Sequence, residues 1–593
     1  MNAGLVSLAP IYLNGLLELL CVFMLPGMLL VRAFSLPNFP QRLLVILLGS
    51  VTANYLIVVL IATLHIDALG TYRCIVLAMV AALLGLVIMD VRGRKPRFGM
   101  HHNAAMAEKS DFAWLAISLA VVCLAYFNIW KHGVPNIFGE GDVSISWNSW
   151  AVIWSHGLFP SQSGGYPQFI PALWAVTYIF TGSDEHYFAY YIYLVLIIAP
   201  LVLISTCLGR VGRPWALLPI LTFVWFVAEI QDHWLRATLE AGFPDWTAAV
   251  AGYCGVVLFI TNDPGTGFNR QKIVTALASE CLILIAAATK PLYGLMAIAI
   301  LIRICIDGAT LLKAQDRTRY LAAVVGLFAA FAIAYLVIYL HLAARYLPSY
   351  PVSELAEQLS RGAGLFNRSF SWPFRVVVCL GIALSPFIPR VRWLTLPLLL
   401  GTWLWIDKAG YDLRNLFGVL LISAFISLFA VVRAVAITRP AAAGPRWRTP
   451  DSVVAAVLMI VAVVSTHTLA QDDAHLHQRF ASEQLEIGAG AGLNEKLLGL
   501  LERGCFVLTA ADYPFTITAF QKYLPQLRTF YWDRVLPPEI SMALAERSGC
   551  SAILYPPQLS GQAVIAFVKT ATEQHQYVSL VQSNGWELLA PAP

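Results

Sequence analysis

The stretch GEGDVSISWNSW, from Gly139 to Trp150, sets two carboxylates, Glu140 and Asp142, and two tryptophans just beyond an apolar run, in a chain that is 59% hydrophobic and only 12% charged. A carboxylate at such a boundary can take the proton of a hydroxyl. Two acids two residues apart, partly buried, push one pKa upward into a useful range for that work. A second run, GGYPQFIPALW from Gly164 to Trp174, follows closely, and its Pro167 and Pro171 force irregular backbone at the edge of an apolar helix. The two runs together form the candidate site, with Tyr166 and Gln168 as its further polar groups. Plainer readings stand beside this one. Acids in a loop are often merely solvated or cap a helix. Trp147, Trp150 and Trp154 recur at helical spacing, so they read first as an interfacial aromatic anchor and only second as a sugar-stacking surface.

The elements that must position these residues are apolar helices. Hydrophobic runs recur from end to end of the 593 residues, which is too apolar for a soluble protein and too evenly apolar for a single anchor. The expected fold is a polytopic α-helical membrane protein of about fourteen spans with a small C-terminal extracytoplasmic α/β domain. A net charge of +5 is small for this length, with bases in short clusters between apolar runs, which suits membrane orientation rather than nucleic-acid binding. The first span, near 9–32, lacks the basic start and cleavage site of a secretory signal and is expected to remain. No Cys/His spacing suggests zinc.

Orientation follows from the basic loops. VRGRKPRFG, with Arg92, Arg94, Lys95 and Arg97, marks a cytoplasmic loop after three spans. The span at 111–130 then runs outward, and Glu140 and Asp142 face the exterior. If 166–182 is a juxtamembrane or re-entrant helix rather than a crossing, then Arg210 and Arg213, Arg270 and Lys272, Arg317 and Arg319, and Arg390 and Arg392 all fall on the cytoplasmic side. Lys290, Lys408 and Arg414 are then left on the outer face, against the positive-inside trend. Bases that orientation does not explain need another partner: an anionic ligand, or phospholipid headgroups reached by snorkelling. Asp245, in GFPDW, is a second outer-face acid, either functional or a cap for the helix it opens. Glu18 and Glu280 lie inside apolar spans with no partner evident.

Beyond the span at 452–470 the composition becomes that of a soluble domain. FVLT at 506–509, TFYW at 529–532, AILY at 552–555, VSLVQ and WELLAP read as strands. Cys505 and Cys550 each precede a strand, so neighbouring parallel strands would bring them together, as a disulfide in an oxidising compartment or as two buried thiols.

The order of these features over roughly 111–420 resembles the GT-C class of membrane glycosyltransferases, which includes protein O-mannosyltransferases and lipid A aminoarabinose transferases. The carriers are an outward span, a loop with acids (Glu140, Asp142), a Pro-led juxtamembrane helix (YPQFIPALW), an acid opening a later span (Asp245), a Thr-Lys helix junction (Thr289, Lys290) and an Arg in YDLRN (Arg414). The resemblance implies an inverting transferase that moves a sugar from a polyprenyl-phosphate donor to a glycan, lipid or protein hydroxyl. It implies Asp142 as base with Glu140 as the alternative, and Lys290 and Arg414 on the donor phosphate. Asp245, Trp147, Tyr166 and Gln168 are the remaining substrate-binding candidates. Some relatives use a divalent cation, so magnesium or manganese held by Glu140, Asp142 and Asp245 is an open expectation. The implied place is the bacterial inner (cytoplasmic) membrane, multi-pass, with the site and the C-terminal domain facing the periplasm or exterior. The expected divisions are an N-terminal three-span extension (1–110), the catalytic module (111–308) with its loop and juxtamembrane helix at 131–182, further spans (309–470) and the soluble tail (471–593). A transporter or flippase of a lipid-linked or anionic substrate is the rival. No internal repeat of the kind transporters carry is evident.

Overall fold

The computed structural model describes residues 2–33, 38–91, 111–123, 143–160, 163, 166–181, 186–210, 215–262, 270–342, 355–409, 412–437, 491–509, 526–529, 550–557, 562–574 and 577–591. Glu140, Asp142, the candidate span at 452–470 and the helical pattern at 537–549 lie outside the described residues, as do the side chains of Lys408 and of the first twelve positions.

The helices, in chain order, are α1 (Asn2–Phe23), α2 (Leu25–Ala33), α3 (Phe39–Leu64), α4 (Ala68–Val91) and α5 (Asp111–Cys123). After a short π-helical segment at Val143–Asn148 come α6 (Ser149–Ser155), α7 (Phe169–Thr181), α8 (His186–Arg210), α9 (Leu218–Ala228), α10 (His233–Glu240), α11 (Pro244–Thr261) and α12 (Arg270–Thr289). A 3-10 turn at Pro291–Tyr293 leads to α13 (Gly294–Leu311), α14 (Ala314–Leu342), α15 (Leu355–Ser369), α16 (Trp372–Leu384) and α17 (Arg392–Ala409). A second 3-10 turn, Leu413–Leu416, opens α18 (Phe417–Ile437). Among the described residues nine helical stretches are long and apolar enough to cross a membrane, and α5, α7, α9 and the stretch from Trp372 to Phe387 are shorter apolar helices. The protein is therefore a multi-pass helical membrane protein. α7 has only 13 residues, too short to span unaided.

The bundle is built around α11. Burial covers 94% of its most apolar window, against 11% for α4, whose side chains are left for lipid. Gly255 lets α12 approach closely, since a Cβ there would fall 2.9 Å from the Ser279 carbonyl oxygen, and the Ser279 hydroxyl donates to the Gly255 carbonyl at 2.7 Å. Small residues and interhelical hydrogen bonds are the means of packing when lipid removes the hydrophobic drive. Charged groups collect at the two ends of α11. At its C-terminal end Arg390 pairs with Asp307 and donates to the carbonyls of Phe259 and Asn262, and Arg303 pairs with Asp307 at 2.7 Å. At the N-terminal end lies the cluster described below.

The tail adds α19 (Ala491–Glu502), β1 (Phe506–Thr509), β2 (Leu527–Thr529), β3 (Ser551–Tyr555), α20 (Gln562–Gln574), β4 (Tyr577–Ser583) and β5 (Trp586–Pro591). The strand order is β2-β1-β3-β5-β4, with β1 parallel to both neighbours and β5 antiparallel to β3 and β4. Asn584 and Gly585, both at positive φ, make the two-residue turn between β4 and β5, a conformation that Asn-Gly adopts at small cost. Phe506 is in register with Ser551, and Cys505 and Cys550 just before them form a disulfide. Of the two readings of that cysteine pair, the structure takes the first. In the same domain the Tyr555 hydroxyl donates to Glu587 at 2.7 Å. Burial opposes the Glu587 charge, but hydrogen bonds from Gln582, Tyr555 and Ser579 outweigh it and hold its pKa below the ordinary value.

Candidate active site

Lys290 stands at the centre of the N-terminal end of α11. Pro291 after it disfavours helical ψ, so Lys290 is extended (φ −143°, ψ 121°) and α12 stops there, although its backbone N–H still closes the last turn on the Ala286 carbonyl at 2.7 Å. The break turns the side chain toward the start of α11. Its ammonium lies 2.9 Å from an Asp245 carboxylate oxygen and 3.3 Å from the Asn415 side-chain oxygen. It also stands over two rings, Trp147 at 5.2 Å and Tyr166 at 5.4 Å from the centroids. Asp245 and Lys290 are both buried, at 3% and 8% exposure. Burial works against the Lys290 charge, but Asp245 and the Tyr166 phenol more than offset it, and its pKa is held above the ordinary lysine value. An ammonium has three N–H donors; Asp245 and Asn415 take two, which leaves one for an anionic oxygen.

Arg414 is fixed independently. Asp412 begins the 3-10 turn and accepts from the Arg414 backbone N–H at 3.0 Å and, with both oxygens, from its guanidinium at 2.7–3.0 Å. The guanidinium carbon lies 4.8 Å from the Trp234 ring centre and 4.3 Å from that of Phe243, and the charge acts electrostatically on the Asp245–Lys290 pair. The α10–α11 turn that brings these rings is tied down at its carbonyls, where Tyr190 and Tyr193 of α8 donate to Glu240 and Leu239. Such bonds satisfy helix-end carbonyls that would otherwise be orphaned in a buried setting.

The Lys290 junction is held by its neighbour Tyr293. A Cβ on Gly252 would fall 2.4 Å from the Tyr293 ring, and one on Gly418 would fall within bonding distance of its hydroxyl. Both glycines are therefore the slot into which the ring fits, one on α11 and one on α18.

Gln168 does not touch the ion pair. It accepts from the Trp154 indole at 3.0 Å and donates to the Tyr166 carbonyl at 2.8 Å, so it positions Tyr166, which is 40% exposed and forms the accessible edge of the site. The anchor reading of the tryptophans gives way: Trp147, Trp150 and Trp154 are all buried, and Trp147 packs on Trp150 at 5.1 Å and on Tyr166 at 5.7 Å. The three keep the helical spacing read from the sequence, but the face they form is packed into the bundle rather than turned to lipid. Headgroup snorkelling of Lys290 and Arg414 gives way for the same reason: each is paired with a protein acid. Asp245 is the second residue of α11 after Pro244, and Phe243 is the capping position, so the acid's main partner is Lys290 rather than the helix end. Of the expected site residues, Trp147, Tyr166, Asp245, Lys290 and Arg414 gather here from 268 positions of sequence, with Gln168 behind them, while Glu140 and Asp142 lie outside the described residues. Asp412, Asn415, Trp234 and Phe243 were not anticipated. Asp412 and Asn415 were legible in principle, flanking Arg414 in YDLRN; Trp234 and Phe243 carry no local signal.

Fold and site thus define a multi-pass helical membrane protein with a buried, aromatic-lined cluster of two cations and two carboxylates at one end of the bundle and a separate sheet domain in its tail. No family profile and no curated protein matches the chain. Among solved structures it is similar to ArnT from Cupriavidus metallidurans bound to undecaprenyl phosphate, at 12% identity and a TM-score of 0.48, with 81% of this chain and 99% of that one covered. It is similar also to the apo state of the same protein, at 13% identity and a TM-score of 0.46 over the same shares. The functional reading rests on the side chains above.

Proposed function

We propose that this protein is an inverting glycosyltransferase of the GT-C type, taking a sugar from a polyprenyl-phosphate donor to an acceptor hydroxyl. The observation that carries the reading is the convergence of Lys290 and Arg414, with Trp147 and Tyr166, at a site that is buried yet open along Tyr166. Two fixed cations beside clustered aromatic rings suit a lipid phosphate leaving group attached to a sugar. In the reaction the acceptor oxygen attacks the anomeric carbon as the carbon–oxygen bond to phosphate breaks, and the polyprenyl phosphate departs with the bonding electrons. Lys290, through its third N–H, and Arg414 stabilise that departing charge. Asp142 takes the hydroxyl proton, with Glu140 beside it and Asp245 orienting the acceptor. A divalent cation would depend on Glu140 and Asp142, because Lys290 already neutralises Asp245 and a metal there would set a second cation beside the ammonium. The acceptor is a glycan, lipid or protein, and the site faces the periplasm or exterior of the bacterial inner membrane, since Lys290 and Arg414 lie at the end of α11 opposite Arg390.

The test is turnover by the purified protein in nanodiscs with a panel of polyprenyl-phosphate sugars. Lys290→Ala and Arg414→Ala should each weaken donor binding about tenfold or more, the loss of one charge-assisted hydrogen bond. Unchanged donor affinity in both would sink the phosphate role. Product formation in detergent, where no second compartment exists, separates catalysis from flipping.

A further inference from the structure

The helix α15 carries charge that the catalytic reading does not use. It lies between the end of one span, Leu342, and the start of the next apolar helix at Trp372, whose ring is 69% exposed; an exposed tryptophan at such a start marks the membrane surface. One face of α15 packs inward, with Gly362 set against the Trp405 ring of α17 and Phe366 on the core. Another face carries Arg361 and Arg368, seven residues and about 10.5 Å apart along the axis, both exposed and, among the described residues, with no ion pair. Between them is Gly364, where an added Cβ would meet nothing within 4 Å. Arg361, Gly364, Leu365 and Arg368 line an open concavity of about 360 Å³.

We propose that this groove holds the phosphodiester of an anionic phospholipid at the membrane surface. Two guanidiniums over a stretch of bare helix, with Leu365 beside them, offer forked donors to phosphate oxygens and an apolar wall to the glycerol backbone. Glu357, one turn before Arg361 on the same side, leaves the face with a net charge of +1, which matches a monoanionic phosphodiester better than a dianionic phosphate. The groove is also mechanically joined to the catalytic cluster. Trp405, on which α15 rests, donates to the Asp412 carbonyl at 2.8 Å, and Asp412 holds Arg414. At the other end of α15 the Ser369 carbonyl accepts from the Gln231 backbone at 2.8 Å, just before the helix that carries Trp234. A lipid that orders α15 would thereby steady both supports of Arg414.

The experiment is native mass spectrometry of the delipidated full chain titrated with phosphatidylglycerol, phosphatidylcholine or inorganic phosphate. The expected result is one saturable phosphatidylglycerol site, with phosphatidylcholine binding at least about tenfold weaker. The doubly substituted Arg361→Ala/Arg368→Ala protein should lose about tenfold or more in affinity. Gly364→Leu, which fills the groove while keeping both charges and finds open space for its side chain, should lose binding with its thermal unfolding unchanged. Lys290→Ala, which disables the catalytic cluster, should keep it, so failure of the donor reading would leave this site standing. Unaltered phosphatidylglycerol affinity in the Arg pair and in Gly364→Leu would overturn the proposal, as would displacement of the lipid by equimolar inorganic phosphate.

Discussion

Removing one member of the Asp245–Lys290 pair has a cost that can be worked out from its surroundings. Both side chains are buried, and the ammonium is committed to Asp245, Asn415 and two ring faces. Lys290→Met keeps the volume but strands the Asp245 carboxylate in a dry site, so the cost is dominated by the uncompensated charge, about 3–5 kcal/mol. The lost cation–π contacts add about 1–2 kcal/mol. Asp245→Asn leaves the ammonium in place with Asn415 and the rings, so it should cost less, about 2–3 kcal/mol. The double variant removes both charges and should be more stable than Lys290→Met alone by about 2 kcal/mol or more, while donor titration should show it no better at binding than Lys290→Met. The assay is unfolding of the detergent-solubilised chain followed by tryptophan fluorescence, set beside donor titration. A raised folded-state pKa contributes stability that is complete below the unfolded value and is lost only as pH rises through the folded one. The wild-type pair should therefore be indifferent to pH between about 6 and 9. Additive destabilisation, with the double variant as unstable as the sum of the singles, would refute the claim that these two groups neutralise one another.

Other consequences are equally open to measurement. Asp142→Asn should lower turnover about a hundredfold or more while leaving donor affinity in place, with Glu140→Gln milder; rapid-quench product formation reads both, and full turnover by Asp142→Asn would remove it as the base. Gly418→Ala and Gly252→Ala should each cost about 1–3 kcal/mol by overpacking against Tyr293 and should weaken donor binding through the shifted Lys290, whereas either combined with Tyr293→Ala should recover stability. Reduction of the Cys505–Cys550 bridge, which closes a separation of 45 residues, should destabilise the tail by about 3–4 kcal/mol, read as faster proteolysis C-terminal to residue 491. Below the ordinary carboxylate range that domain should also loosen, because Glu587, whose pKa is depressed, contributes stability that is lost as pH falls through its folded value.

Much of this was legible in the sequence because membrane helices announce themselves by composition and because Lys290 and Arg414, with Lys408, stood against the positive-inside trend under the expected orientation. The strands FVLT and AILY, and the nearness of Cys505 to Cys550, followed from short buried runs with turn signals, while the choice between a disulfide and two thiols came from the structure. What the sequence could not supply was three-dimensional partnership. Nothing near Lys290 in the chain names Asp245, 45 positions earlier, or Asn415, 125 positions later. The tryptophan stripe keeps its helical spacing, but spacing does not say which way a stripe faces, and the elements that bury Trp147, Trp150 and Trp154 come from distant parts of the chain. Glu18 and Glu280 stay as read: buried in the structure, with carboxylate oxygens that find no hydrogen-bond partner among the described residues.

The slot for Tyr293 has a consequence for descent. One ring touches α11 and α18 at positions where a single added methyl group would collide, so 252, 293 and 418 form one steric unit drawn from three separate stretches of the chain. Divergent descendants should change these positions together: a side chain at either glycine would be accompanied by a smaller residue at 293, and lineages retaining the tyrosine would retain both glycines, whatever happens to the sugar or the acceptor.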